Sequence, residues 1–305
     1  MWRASPAEIV AARSRIDPVF QNSRVRRSAA LDRGAGAELL FKDETCNPIR
    51  SFKGRGACNL LARMPRAEGA VCASAGNFGQ GLAWAAREQG LPVTIFAATG
   101  AVAAKVEAMR ALGATVILQG RDYDEAKDRA RDYARSAGLT YVEDGAHAEI
   151  AEGAGTIALE LTAEAAGIDA LLCPLGNGAL AAGLGCWMKH SRPEAEMVAV
   201  AASGAPAMAR SVLGGTIVTT PVADTIADRI AVRVPIPSAV REVRRLVDDV
   251  VLVPDEAIRT AMALLLDAFG IVVEPAGAAG FAALLNEPGR WAGKRVAIPL
   301  CGGNV

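Results

Sequence analysis

The chain has 305 residues, 51% of them apolar and 22% charged, and its 33 basic and 33 acidic side chains cancel to a formal net charge of zero. That length and apolar content allow a full core in one large or two moderate domains, and the balanced charge, without a basic stripe, argues against nucleic acid as a partner. The most apolar stretch, from Ile258 to Leu285, is interrupted by Arg259, Asp267 and Glu274, so no membrane partner is expected.

Arginines cluster early (Arg3, Arg13, Arg15, Arg24, Arg26, Arg27), as in a transit peptide, but Glu8 and Asp17 interrupt them and no apolar signal core follows. Glu38–Lys42 then reads as a strand and Ser51–Met64 as a helix. From residue 70 to 144 the chain alternates. Apolar, strand-like runs at Ala70–Ala75, Pro92–Ala98, Thr115–Leu118 and Thr140–Glu143 are separated by helical periodicity at Gly79–Gln89, Ala103–Leu112 and Asp122–Ala137. Such β-α alternation predicts a parallel sheet covered by helices.

A helix from His147 to Ala166 follows, then a strand at Ala170–Pro174, a glycine-rich turn and a helix from Ala179. Further strands are expected at Met197–Ala202, Val250–Val253 and Val296–Leu300, with helices at Ser238–Leu246, Asp255–Ala268 and Ala276–Leu285. The expected organisation is a large α/β domain from residues 1–68 and 148–305, with a small α/β domain, 69–147, inserted into it. A cleft between the two is the expected ligand site.

Six cysteines without a CxxC pair, and only His147 and His190, predict a reduced, cytoplasmic protein with no metal cluster. The lysines are more telling. The chain has six against twenty-seven arginines, and one of them, Lys53, stands in Arg50-Ser51-Phe52-Lys53-Gly54-Arg55-Gly56. A lysine amine can lose a proton and condense with a carbonyl, which arginine cannot do. The plain alternative is a surface lysine at a helix start.

Three further motifs sit at strand ends, and a fourth opens a helix. Ala73-Ser74-Ala75-Gly76-Asn77-Phe78-Gly79-Gln80 combines small residues, which allow close approach, with Ser74 and Asn77, which either bond a ligand or cap the next helix. Gly176-Asn177-Gly178-Ala179-Leu180 joins a strand to a helix and suits a single phosphate. A dinucleotide fits less well, because Ala181 replaces a third glycine and the next strand ends Val200-Ala201-Ala202 without an acid; a tight turn with no ligand stays open. Glu274-Pro275-Ala276-Gly277-Ala278 opens a helix, and Cys301-Gly302-Gly303-Asn304 follows the last strand.

In this order, and with Thr225-Ile226-Ala227-Asp228, the motifs resemble the fold-type II pyridoxal-phosphate enzymes, in particular the threonine/serine dehydratase (ammonia-lyase) and serine racemase branch. The resemblance implies an α/β, two-domain, tryptophan synthase β-like fold, each domain a parallel-rich sheet flanked by helices, working as a homodimer on a small amino-acid substrate. It implies Lys53 as the Schiff-base lysine and catalytic base. Phe52, Asn77, Gly176, Asn177, Gly178, Ala179, Leu180, Glu274 and Cys301 would hold pyridoxal 5'-phosphate with it, and Ser74, Ala75, Gly76, Asn77 and Phe78 would hold the substrate carboxylate. A thiol such as Cys301 opposite the pyridine nitrogen favours prompt loss of a β-leaving group, hence elimination from threonine, serine or 3-hydroxyaspartate to a 2-oxo acid and ammonia.

Departures refine the expectation. Ala75 replaces a hydroxyl used for racemisation, and Ala201 and Ala207 stand where a divalent cation needs acids, so no metal is expected. Arg229 stands where relatives usually have glycine; with Arg50 it could meet an acidic substrate side chain, or else pair with Asp224 or Asp228. A β-replacement synthase and a non-catalytic cofactor-binding scaffold are the competing readings.

Overall fold

The computed structural model describes residues 2–65 and 69–305. The junction residues 66–68, where the large domain was expected to give way to the small one, lie outside the described residues. In chain order the elements are α1 (Pro6–Ala12), β1 (Arg24–Arg26), α2 (Ala29–Ala35), β2 (Glu38–Asp43), α3 (Lys53–Leu61), β3 (Ala70–Ala73), α4 (Asn77–Gln89), β4 (Val93–Ala97), α5 (Ala103–Ala111), β5 (Thr115–Leu118) and α6 (Tyr123–Ala137). They continue as β6 (Thr140–Tyr141), α7 (Ala148–Glu164), β7 (Ala170–Pro174), α8 (Ala179–Ser191), β8 (Glu196–Ala202), α9 (Ala207–Gly214), α10 (Pro237–Leu246), β9 (Asp249–Val253), α11 (Asp255–Phe269), α12 (Pro275–Asn286) and β10 (Arg295–Leu300).

Two sheets result. A six-stranded sheet runs β1-β2-β10-β7-β8-β9, parallel except for the β1 edge, and a four-stranded parallel sheet runs β5-β4-β3-β6. The central strands are buried on both faces, which is why they read as unbroken apolar runs. In β7, Leu171 and Cys173 face a core shared with α7, α8 and α10, while Ala170 and Leu172 face a second core shared with α11 and α12. On the smaller sheet, Cys72 and Ile95 pack under α3 and α4, and Val71 and Phe96 pack under α6. α3 therefore belongs to the core of the small sheet, although the chain enters it from the large one. Among the described residues, no helix is long and apolar enough to cross a membrane.

Elements α1, β1, α2 and α9 were not anticipated. β1 is three residues, Arg-Val-Arg, held only as an antiparallel edge on β2. α1 is seven residues that bury Ile9 and Ala12, too short to show two turns of periodicity.

α7 and α8 meet at backbone distance. A Cβ on Gly183 would collide with the Ala151 carbonyl, and one on Gly155 would lie 2.8 Å from the Gly183 carbonyl. Gly183→Ala is expected to cost about 2 kcal/mol or more, because the backbone rather than a mobile side chain must shift. Urea unfolding would register it as a lower midpoint, and an unchanged midpoint would contradict the close approach.

α7 also carries Glu152, 2% exposed, which accepts a hydrogen bond from Arg63 at 3.1 Å. Burial outweighs the Arg63 charge, with Glu149 and Glu8 adding repulsion, and pushes the carboxyl up from 4.5 to about 7. A carboxyl that keeps its proton longer when folded favours folding below its ordinary value, and that contribution is lost as pH rises through the folded value. Glu152→Gln is therefore expected to stabilise the protein by about 2 kcal/mol at pH 8, with the gain shrinking toward pH 5, in urea titrations at the two values.

Candidate active site

The carboxyl ends of β3, β7 and β10 open onto one cleft, the usual ligand position in parallel α/β sheets. Its volume is about 510 Å³, and it is lined by Phe52, Lys53, Ser74 to Phe78, Gly176 to Leu180, Arg229, Glu274 and Cys301. Every residue singled out above for cofactor or substrate, Arg50 excepted, thus lies on its wall. Arg50 does not line it. Its guanidinium donates to the Gly303 and Val272 carbonyls at 3.0 and 3.4 Å, so it secures the C-terminal segment.

Lys53 is the first residue of α3. Its approach is fixed from both sides: Ser51 pairs with Gly302 as an antiparallel bridge, and the Phe52 N–H donates to the Cys301 carbonyl at 3.1 Å. The amine lies 4.5 Å above the Phe52 ring and donates to Asp144 Oδ2 at 2.6 Å. Asp144, just past β6, was not anticipated, nor were Lys127 and Glu143, which pair at 2.5 Å on the same wall, nor the pair Arg233 and Asp124. One signal existed for Asp144: an acid directly after the carboxyl end of a parallel strand.

Ser74 Oγ accepts from the Gly76 and Gly79 N–H groups at 3.2 and 3.0 Å, so this hydroxyl caps the start of α4. Asn77 donates to both oxygens of Glu274, at 2.8 and 3.1 Å, and its carbonyl accepts from Asn304 at 2.9 Å. For Asn77 to serve a cofactor oxygen as well, Glu274 must release one of those contacts. Burial raises the Glu274 carboxyl above its ordinary value, and the Asn77 bond and the Arg229 charge only partly offset this.

Gly178, at the start of α8, has φ +92, a left-handed conformation that favours glycine. A Cβ there would lie 2.9 Å from Val243 Cγ2, and one on Gly176 would lie 3.0 Å from the Arg229 carbonyl. The first turn of α8 holds no acid, so nothing neutralises the positive end of its dipole. The Cys301 thiol is raised well above its ordinary value by burial, with Cys173, Glu44 and Glu274 adding to it and Lys53 opposing, so it remains a neutral thiol.

The sequence matches the family described as pyridoxal-phosphate dependent enzyme over residues 16–302. The chain belongs to that family. It is 38% identical over 274 residues to the L-threonine ammonia-lyase of Geobacter sulfurreducens, covering 88% of this chain and 68% of that protein. It is 33% identical over 308 residues to the L-threo-3-hydroxyaspartate ammonia-lyase of Pseudomonas sp., covering 100% and 97%. Among solved structures, maize serine racemase superposes with a TM-score of 0.94 at 30% identity, covering 100% of this chain and 94% of that one. The two-domain fold-type II architecture expected above is therefore present in a family member.

The residues present fit the family's cofactor. An amine faces the cleft at Lys53, and a side-chain-free turn at an uncompensated helix start offers a phosphate cradle. Among the described residues, the buried side-chain polar atoms without a hydrogen-bond partner are Asp144 Oδ1, Arg229 Nε, Arg229 Nη2 and Thr220 Oγ1. Three of these four belong to residues that line the cleft, which is where a ligand would supply the missing partners.

Proposed function

We propose that the protein is a pyridoxal-phosphate-dependent ammonia-lyase that removes the β-hydroxyl and the amine from threonine, serine or 3-hydroxyaspartate, yielding a 2-oxo acid and ammonia. The observation that carries this reading is the Lys53 amine held 2.6 Å from Asp144 at the centre of a cleft whose rims are the start of α4 and the start of α8. In this reading Gly176 to Leu180 hold the cofactor phosphate and Ser74 to Phe78 orient the substrate carboxylate. When bound, the cofactor supplies the electron sink that acidifies the substrate Cα–H bond.

The chain's own groups then divide the work. Lys53 Nζ takes the Cα proton, and Asp144 is placed to hold the resulting ammonium. Ala75 presents no hydroxyl to return a proton from the opposite face, which favours elimination over racemisation. Cys301, a neutral thiol, would not stabilise a protonated ring nitrogen as a carboxylate would, so prompt departure of the β-hydroxyl is the favoured exit.

The proposal extends to organisation. Residues 1–68 and 148–305 form the large cofactor-binding domain and 69–147 the small one, except that α3 packs into the core of the small sheet, and the protein acts as a cytoplasmic homodimer. The six free cysteines accord with a reducing compartment, and the homodimer rests on the resemblance. The test is to load purified protein with cofactor and add L-threonine, L-serine and DL-threo-3-hydroxyaspartate in turn, following absorbance, 2-oxo acid and ammonia. Stoichiometric 2-oxo acid and ammonia support the lyase. Product only when a thiol is added would indicate β-replacement, and a spectral shift without product a scaffold.

A further inference from the structure

We infer that Arg229 selects a substrate with a second carboxylate, so that the preferred class is a β-hydroxy amino acid with an acidic side chain; this rests on the elimination reading above. The guanidinium lines the cleft and is 20% exposed, yet Nε and Nη2 are buried without a hydrogen-bond partner. Its nearest acid, Asp228, lies 3.6 Å from Nε, too far for a hydrogen bond, and that carboxylate is itself 61% exposed. This loose ion pair therefore leaves the donors at Nε and Nη2 without a hydrogen bond.

The other charges of the cleft wall are already committed. Lys53 is bonded to Asp144, Lys127 to Glu143, and Arg233 to Asp124, while Glu274 is bonded by the Asn77 amide and Asp122 accepts from the Glu125 N–H. Arg229 is thus the cation of this wall with the loosest partner. An amino acid bound through its α-carboxylate and amine adds no net charge, whereas a second carboxylate adds an acceptor for the Arg229 donors that have no hydrogen-bond partner.

Position adds a second argument. Arg229 Nη1 occupies the space that any side chain at position 76 would fill, so Gly76 and Arg229 fit each other as a pair. Gly76 lies in the loop that orients the substrate carboxylate in the reading above. A guanidinium pressed over that loop carries unpartnered donors on two adjacent nitrogens, Nε and Nη2, a fork suited to the carboxylate of a substrate bound there.

The test compares the cofactor-loaded protein with Arg229→Gln and Arg229→Lys, measuring kcat/KM for threo-3-hydroxyaspartate and for threonine. The ratio of the two is expected to fall about 100-fold in Arg229→Gln, as when one partner of a desolvated charge pair is lost, and less in Arg229→Lys, which keeps the charge without the fork. Equal losses on both substrates would mean that Arg229 serves the shared α-carboxylate or only shapes the cleft, and would overturn the inference. An unchanged ratio would overturn it too. Calorimetric binding of succinate and butyrate to the same proteins gives a readout independent of turnover: the parent should prefer succinate and Arg229→Gln should not. If no substrate is turned over but that preference holds, the elimination reading fails while the role of Arg229 stands.

Discussion

Lys53→Ala is expected to lower 2-oxo acid formation by about 10³-fold or more and to abolish the visible band of covalently bound cofactor, since both the carbonyl-reactive amine and the proton acceptor are removed together. Lys53→Arg separates chemistry from charge. It keeps a cation opposite Asp144 Oδ2, which Lys53 meets at 2.6 Å, and over the Phe52 ring, so the local electrostatics are largely retained. A guanidinium neither condenses with an aldehyde nor gives up its proton near neutral pH, so Lys53→Arg should be as inactive as Lys53→Ala while resisting urea nearly as well as the parent. If Lys53→Arg turned over within about tenfold of the parent, below even the smallest effect usual for a general base, the amine would not be the reacting group.

The legible and illegible parts of this molecule differ in the range of the interactions that define them. The alternation between residues 70 and 144 could be read because the central strands of a doubly covered parallel sheet are apolar on both faces and each helix between strands shows its own period. The place of the loops Ser74–Phe78 and Gly176–Leu180 on the cleft wall was legible for a related reason. Close approach to a ligand demands small residues at consecutive positions, and consecutive positions are what a single sequence displays. Asp144 was hidden because its significance comes from Lys53, 91 residues away in the chain. The bridge between Asp124 and Arg233 was hidden in the same way. Arg229 was noticed for its residue type, but whether it pairs internally depends on a 3.6 Å gap that sequence cannot supply. Arg50 was drawn toward the cleft by its neighbour Ser51, whereas its positive φ of 48 places it in the left-handed region and its guanidinium meets the Gly303 and Val272 carbonyls.

The ionic cluster behind Lys53 was wholly unanticipated, and it carries the second large effect. Arg55, two residues beyond Lys53 on α3, is fully buried and donates to Glu44 at 2.8 and 2.9 Å, to Glu160 at 2.6 and 3.0 Å and to Thr156 at 2.9 Å. Buried Lys42 adds a contact to Glu160 at 3.0 Å. Burial alone would raise the Glu160 carboxyl, but Arg55 and Lys42 more than offset it and hold it below its ordinary value. The cluster joins α3 to α7 and to the end of β2, so it fixes the helix that begins at Lys53.

Arg55→Met should cost about 3–5 kcal/mol, because it removes the ion pair of buried Glu44 and leaves Glu160 with Lys42 alone. The deficit should be largest near neutral pH. A depressed carboxyl contributes stability above its ordinary value and loses it as pH falls through the folded value, and Arg55→Met removes that contribution from Glu160. Urea titrations of the parent and variant should therefore converge on acidification. Adding Glu44→Gln and Glu160→Gln to Arg55→Met should recover much of the loss, since a buried ion cluster replaced as a whole costs far less than one broken at a single partner. A triple variant no more stable than Arg55→Met alone would mean that Arg55 acts by filling space, and the electrostatic account of how α3 is held would be wrong.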